Sequence, residues 1–411
     1  MRGDRLLVPV VFVLSAGALF WRMGEPGGEG PSPTSPAADT LLDVDSMAVA
    51  TRLAGGATWK TDFSRITVPP EEIVSGGPPK DGIPSIDEPR FQSIGEADSW
   101  LNPSDPVMVV EAGGEVRAYP LRILVMHEIV NDRVGGVPVA VTYCPLCNTA
   151  LVFERTLPGG QVVEFGTTGR LRHSDLIMYD RSTGTWWQQA TGEGIVGRHA
   201  GDTLAFRSSN TFSWERAREF HPDARVLSRE TGYDRDYSRS PYPGYEDRGK
   251  QPIQRFVSGA TPGPLPPMER VAAVDLDGGW AVPYSVLSER RVVNATVAGR
   301  PLTVFWAPGA ASPLDEVEVS RGEDVGQVAV FERRIEGEGT LSFRWETDGG
   351  GDGGAWVDEE TGSRWNLAGR AVSGPLEGRE VKDVRHDSPF WFAWVGFRPE
   401  TELWSVEGGG Q

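Results

Sequence analysis

Cysteine is nearly absent from this chain: its 411 residues include two, Cys144 and Cys147. That excludes a disulfide-stapled scaffold. A basic balance is missing as well, since 40 Lys and Arg stand against 58 Asp and Glu, a formal net charge of −18. Such a surface repels phosphate backbones, so nucleic acid is not an expected partner. No P-loop, no GxGxxG after a strand, no HExxH and no nucleophile elbow occurs, so none of the chemistries those motifs mark is indicated. Long hydrophobic runs are scarce too. The N-terminal one, Leu6 to Trp21, follows Arg2 and Arg5 and is closed by Arg22. It is short for a membrane span and long for a signal h-region. Ala16-Gly17-Ala18 fits a cleavage site, whereas Leu19-Phe20-Trp21 suits a membrane interface. Residues 1–23 are therefore expected to be a signal anchor or signal peptide, with the body outside the cytoplasm, held at the cell membrane or secreted if cleaved. No Cys closely follows the run, so a lipoprotein is not expected.

What is present reads as a globular body behind a linker. The apolar fraction of 39% and charged fraction of 24% are ordinary for a folded chain. Gly, Pro, Ser and Ala dominate from Gly24 to Thr40, and residues 24–60 are assigned to a flexible linker. Beyond it the sequence repeats itself. AYPLRILVMHEIVNDRVGGVPVAVTYCPLC from Ala118 aligns without a gap with AVPYSVLSERRVVNATVAGRPLTVFWAPGA from Ala281. Three further matched blocks follow in the same order, including YDRSTGTWWQQATGEGIVG against VDEETGSRWNLAGRAVSG. An internal duplication is the expectation, with units at 61–250 and 251–411. The copies differ where chemistry is possible: His127 faces Arg290, Cys144 faces Ala307 and Cys147 faces Ala310.

Short runs rich in Val, Phe, Tyr and Thr (VPVAVTY, ALVFER, QVVEF, DLIMY) read as strands. Short helices are expected after Tyr119-Pro120 and over Ser213–Phe220, with Ser213 as N-cap. The fold class is mainly β with a few short helices (β-rich α+β), in two similar halves, barrel- or sandwich-like. Trp186, Trp187 and Trp365 are read as core. The loop Tyr233–Tyr245 either lids a pocket through Tyr237, Tyr242 and Tyr245 or packs on the core. His221 and His386 have no evident partner.

Gly135-Gly136 suits a two-residue hairpin turn. If Val134 and Val137 close it, the pairing carried outward sets His127 opposite Cys144. Cross-strand neighbours lie about 4.5–5.5 Å apart, within reach of one ion. Three readings stay open. In the first, His127, Cys144 and Cys147 hold copper or zinc with an open fourth position, and the protein serves electron transfer, metal handling or metal-assisted catalysis. In the second, Cys144 attacks and Cys147 resolves as a thiol–disulfide pair; the strand-like NTALVFER that follows argues against the helix such thiols use. In the third, a non-catalytic binding module carries a structural disulfide, though so small a loop gains little by closure. Glu128 is a base candidate or, more simply, a solvated strand residue. Asp180 with Gly184 reads as a turn. The partner is a small molecule or a metal-exchange protein that the residues do not name.

HEIVND, TYCPLCNTA, SDLIMYDRSTGTWWQQATGE, HPDARVLSRETGYDRDY and PYPGY, in that order, closely resemble domain-of-unknown-function family 3179 of exported prokaryotic proteins. The resemblance spans roughly residues 85–405. It implies no established activity, but it places His127, Cys144, Cys147, Asp175, Asp180 and Trp187 within family motifs. His173 departs from the pattern, and the second copy departs at every cluster position.

Overall fold

Strand formation follows the runs of β-branched and aromatic residues, and turn glycines set where the runs fold back. The computed structural model describes residues 41–247, 251–257, 263–347 and 353–405. The expected signal segment and residues 24–40 of the expected linker lie outside them. Among the described residues no helix is long and apolar enough to cross a membrane. The linker expected to reach residue 60 ends earlier. Ser46–Leu53 forms helix α1, whose first N–H groups are capped by the Asp45 carboxylate. Val49 and Leu53, four apart and so on one face, are buried against a cluster containing Ile177 and Trp186. That buried face holds the segment in the fold.

In the first half, β1 (Pro106–Ala112) and β2 (Glu115–Pro120) form a hairpin. Helix α2 (Leu121–His127) follows Pro120, as the fixed φ of proline favours. Strands β3 (Ile129–Val134), β4 (Val137–Cys144) and β5 (Thr149–Glu154) make an antiparallel meander. Strand β4 is buried along most of its length, as expected for a central strand covered on both faces. Strands β6 (Phe165–Arg172), β7 (Asp175–Asp180) and β8 (Trp186–Gln188) form the next sheet. Helix α3 (Trp214–Phe220) has Ser213 as its N-cap, as expected.

The second half runs through the same order: β9 (Val271–Val274), β10 (Trp280–Pro283), α4 (Tyr284–Arg290), β11 (Val292–Val297), β12 (Arg300–Ala307), β13 (Gln327–Glu332), β14 (Phe343–Thr347), β15 (Gly354–Asp358), β16 (Arg364–Trp365) and α5 (Trp391–Phe397). Buried polar devices recur with the elements. The Asn131 side chain donates to the Phe165 carbonyl and accepts from its N–H; Asn294 does the same with Phe343. Asp180 caps its turn and accepts from Trp187 Nε1; Asp358 does so from Trp365.

The sheets are open and sandwich-like, and none closes into a barrel among the described residues. The halves share their cores. One cluster joins Val107, Phe212 and Trp214 to Phe305, Phe331 and Trp365; another joins Cys144, Cys147 and Tyr143 to Leu314, Phe390 and Phe392. Trp186, Trp187 and Trp365 are wholly buried, as a core reading requires.

Candidate metal centre

The first hairpin has the register read from the sequence: Val134 pairs with Val137, and Ile129 with Thr142, across Gly135 and Gly136 at φ 52° and 83°. No Cβ fits at Gly135, because the Ala112 carbonyl would lie 2.1 Å from it. The inference that His127 faces Cys144 nevertheless fails, and the reason is local. Strand β3 begins at Ile129, two residues later than that pairing needs. Glu128 takes the left-handed conformation (φ 59°) and caps helix α2, its N–H donating to Leu124 O while its carbonyl accepts from Tyr143 N–H. A left-handed cap redirects the chain, so His127 belongs to the helix and not to the strand. Its Nδ1 lies 2.7 Å from Pro84 O and its Nε2 2.7 Å from Tyr237 Oη. A carbonyl only accepts, so Nδ1 carries the proton and Nε2 accepts from the phenol. Both nitrogens are occupied and burial holds the ring below its usual pKa. His127 is a buried structural histidine and not part of the cysteine cluster.

The cysteines meet a carboxylate instead. One ligand atom each from Cys144, Cys147 and Asp175 lies within 4.8 Å of the others. Cys144 ends β4 and pairs with Thr149, so Pro145-Leu146-Cys147-Asn148 is a hairpin loop, completed by Asn148 at φ 54°. Neighbouring segments hold this loop: Phe390 N–H donates to Cys147 O, Tyr245 Oη to Leu146 O, and Asn148 Nδ2 to Ser388 O. Asp175 arrives through the β6–β7 turn, where His173 and Ser174 both have positive φ (50° and 70°) and Arg172 pairs with Asp175. Two consecutive non-glycine residues there are costly, and the turn brings Asp175 to the thiols. Oδ1 of Asp175 accepts from Gln188 Nε2 at 2.6 Å and Ala190 N–H at 2.8 Å; Oδ2 lies 3.0 Å from Cys147 Sγ.

Every group here is buried. Burial pushes the Cys144 thiol up and the Cys147 thiol well up. It raises Asp175 to about 6, against hydrogen bonds that lower it. Glu128 is 7% exposed, and burial followed by the charge of Asp175 pushes it up to about 8. No basic side chain pairs with Asp175 or Glu128 among the described residues. Ser174, whose carbonyl lies 3.7 Å from Cys144 Sγ, and Gln188, which donates to Asp175, each keep a buried side-chain oxygen without a hydrogen-bond partner, the kind of orphan that calls for water or a ligand. Tyr242 and Tyr245 pack against the core containing both cysteines.

The CPLC loop is not at a helix N-terminus, so the macrodipole that activates thiols in thioredoxin-type motifs is absent. Asp175 is the residue that sequence reasoning undervalued. A signal existed: in the second half its place falls at Gly353, just as Cys144 and Cys147 give way to Ala307 and Ala310, and Glu128 to Arg291. Elsewhere, His173 packs on Phe397 and approaches Glu72, and His386 bonds the Val384 carbonyl. Tyr237 is buried against His127.

No curated protein and no solved structure matches the chain. The model of the family described as protein of unknown function (DUF3179) matches residues 80–401. The chain, over most of its length and with every residue of the cluster inside the match, belongs to that family.

Proposed function

We propose that this is an extracytoplasmic metal-binding protein, tethered by its N-terminal segment, that holds one zinc or copper ion through Cys144, Cys147 and Asp175. The observation that carries this reading is the buried gathering of two thiols and a carboxylate without a basic partner. Burying one such charge is costly and burying several is prohibitive unless a cation joins them. A cation exchanges with the protons that burial keeps on the two thiols, since metal ligands bind deprotonated. The three ligand atoms lie within 4.8 Å of one another, and with bonds of about 2.3 Å a tetrahedral edge is about 3.8 Å, so closing on an ion asks for a shift of up to about 1 Å. Two sulfurs suit Zn²⁺ or Cu(I), and the carboxylate oxygen tips the set toward zinc. Gln188 and Ala190 fix the carboxylate from behind, as outer partners do in metal sites. Three protein donors leave a fourth position open, the arrangement of catalytic or exchanging zinc.

Metal analysis of full-length protein purified anaerobically tests the reading, with Cys144→Ser and Asp175→Asn alongside. A near-equimolar transition metal in the parent and little in either variant is expected. Metal-free parent with intact fold overturns the proposal.

One observation favours a second reading, a thiol–disulfide pair. Asp175 Oδ2 lies 3.0 Å from Cys147 Sγ and is placed to take its proton. In that case Asp175 receives the proton that Cys147 gives up when the pair closes by exchange with an external disulfide, and a reversible Cys144–Cys147 disulfide appears in place of metal.

A further inference from the structure

Lysine is scarce in this chain. Four occur among its 411 residues, and two of them, Lys60 and Lys80, line one groove with Trp59, Tyr179, Asp81 and Arg181. The groove has a volume of about 400 Å³ and shares no residue with the cysteine cluster. That size lies within the range of small-ligand sites.

The groove is built on the turn between β7 and β8. The Lys60 segment is laid across this turn: Thr61 Oγ1 donates to Gly184 O at 2.6 Å, and a Cβ on Gly184 would stand 3.0 Å from Thr61 N. Lys60 Nζ reaches the Arg181 carbonyl at 3.4 Å. Lys80 Nζ stands 4.5 Å and 4.6 Å from the ring centres of Trp59 and Tyr179 and donates to Thr58 O at 3.3 Å. Asp81 is engaged elsewhere, accepting from Tyr179 Oη at 2.6 Å and from Arg181 Nη1 at 3.3 Å. Asp87 also takes Arg181. Neither lysine has a carboxylate partner among the described residues. Two uncompensated ammonium charges thus share one groove in a chain whose net charge is −18.

The fold does not need them there. The equivalent turn of the second half has the same construction: Asp358 accepts from Thr361 as Asp180 does from Thr183, and Gly362 at φ 75° answers Gly184 at φ 74°. In that turn Glu359 replaces Arg181 and Val357 replaces Tyr179, and a Cβ on Gly362 would meet nothing within 4 Å. The turn therefore forms without a cation, a phenol or a covering segment. The first half adds all three, and together they make the groove.

We infer that this groove binds a small organic dianion, a phosphate monoester, with its phosphate drawn to the Lys60 and Lys80 ammonium groups and its carbon part against the Trp59 wall. An ammonium is a compact point charge suited to phosphate. Two of them without counter-charges favour a doubly charged ligand over a singly charged one. Lys80 is held over two rings, so its charge is in place before the ligand arrives. The site is independent of the metal reading.

Calorimetric titration of full-length protein with phenyl phosphate tests this, at low salt and about pH 8, where the ester is a dianion. The parent should bind one equivalent, more weakly as salt is added. Lys60→Gln should lose affinity about tenfold, and benzoate, with the same ring and one charge, should bind the parent about tenfold more weakly than phenyl phosphate. Lys60 is exposed, and thermal melts establish that the variant is folded. Lys80→Met, which keeps an unbranched apolar stem beside the rings, reads the loss of the second charge. No binding by the parent overturns the inference. Unchanged affinity in both folded variants also overturns it, because the anion then sits elsewhere. Equal affinity for benzoate overturns the preference for a dianion. Phosphatidic acid in mixed micelles separates a lipid headgroup from a free ester: micelle binding that needs Lys60, without binding of phenyl phosphate, overturns the soluble ligand.

Discussion

Asp387 provides a stability test that does not depend on any ligand. It is 8% exposed, and its Oδ1 accepts from the N–H groups of Ala150 and Ser388, joining β5 to the second half. Burial pushes its carboxyl up to about 7. An unfolded Asp titrates near 3.9, so between these values the folded protein holds a proton that the unfolded chain has released. Stability therefore falls as pH rises through this window, being fully present below about 4 and lost above about 7. At 1.36 kcal/mol per unit, the loss is about 4 kcal/mol at most. Asp387→Asn keeps an oxygen to receive both backbone donors and has no proton to release. In urea unfolding at pH 5 and pH 8, the variant should gain stability over the parent on going to pH 8, by about 2–3 kcal/mol of the maximum over that narrower interval. Glu128 and Asp175 are raised in the same sense, but they are common to both proteins and cancel in the difference. A parent–variant difference independent of pH would show that Asp387 is already ionised in the fold and refute the reasoning.

His127→Ala should leave metal content unchanged while lowering stability by about 2–4 kcal/mol, since it orphans the Tyr237 hydroxyl and Pro84 carbonyl and opens a cavity; metal analysis and urea unfolding on one preparation check both halves of the claim. Arg270 pairs with Glu246 and approaches Ser312, all buried, so Arg270→Met should cost about 3–5 kcal/mol by stranding the carboxylate, and adding Glu246→Gln should restore much of it. A double-mutant cycle in urea decides, and additive losses would refute the pairing. Gln188→Ala removes a donor from Asp175 Oδ1 and should weaken metal retention about 10–100-fold without abolishing it, measured by competition with a chelator.

The sequence carried the strands, both helix positions and the hairpin register, because each has a local cause: β-branched runs, Pro120 before a helix, Ser213 at a cap and Gly135-Gly136 in a turn. It misled at His127 because a single left-handed residue, Glu128, decides whether position 127 belongs to the strand or to the helix, and no local pattern of Glu marks that conformation. Asp175 was hidden for a different reason. It joins the cysteines through the pairing of separate sheets, and its approach depends on two strained turn residues, His173 and Ser174, that do not resemble turn formers of the Gly or Asn kind. Helix α1 escaped notice because two buried contacts, Val49 and Leu53, suffice to hold it.

The half without thiols still builds the centre. Phe390 N–H holds Cys147 O and the Ser388 carbonyl holds Asn148. Leu314 lies in the core with both cysteines, and its carbonyl receives Tyr245 N–H. Ser240 Oγ donates to Pro313 O, and Arg270 with Ser312 secures Glu246 at the end of the tyrosine loop. Residues 311–325, with no equal in the first half, thereby fasten that loop beside the CPLC turn. Each contact comes from the second half and none needs a ligand-bearing side chain. That explains how Ala307, Ala310, Gly353 and Arg291 can stand where the first half has Cys144, Cys147, Asp175 and Glu128: the second half acts as the wall of the site, and a wall requires packing and backbone hydrogen bonds but no acid of its own. The loop that carries Cys147 is thus held in place by backbone groups of the second half, Phe390 N–H on Cys147 O and Ser388 O on Asn148.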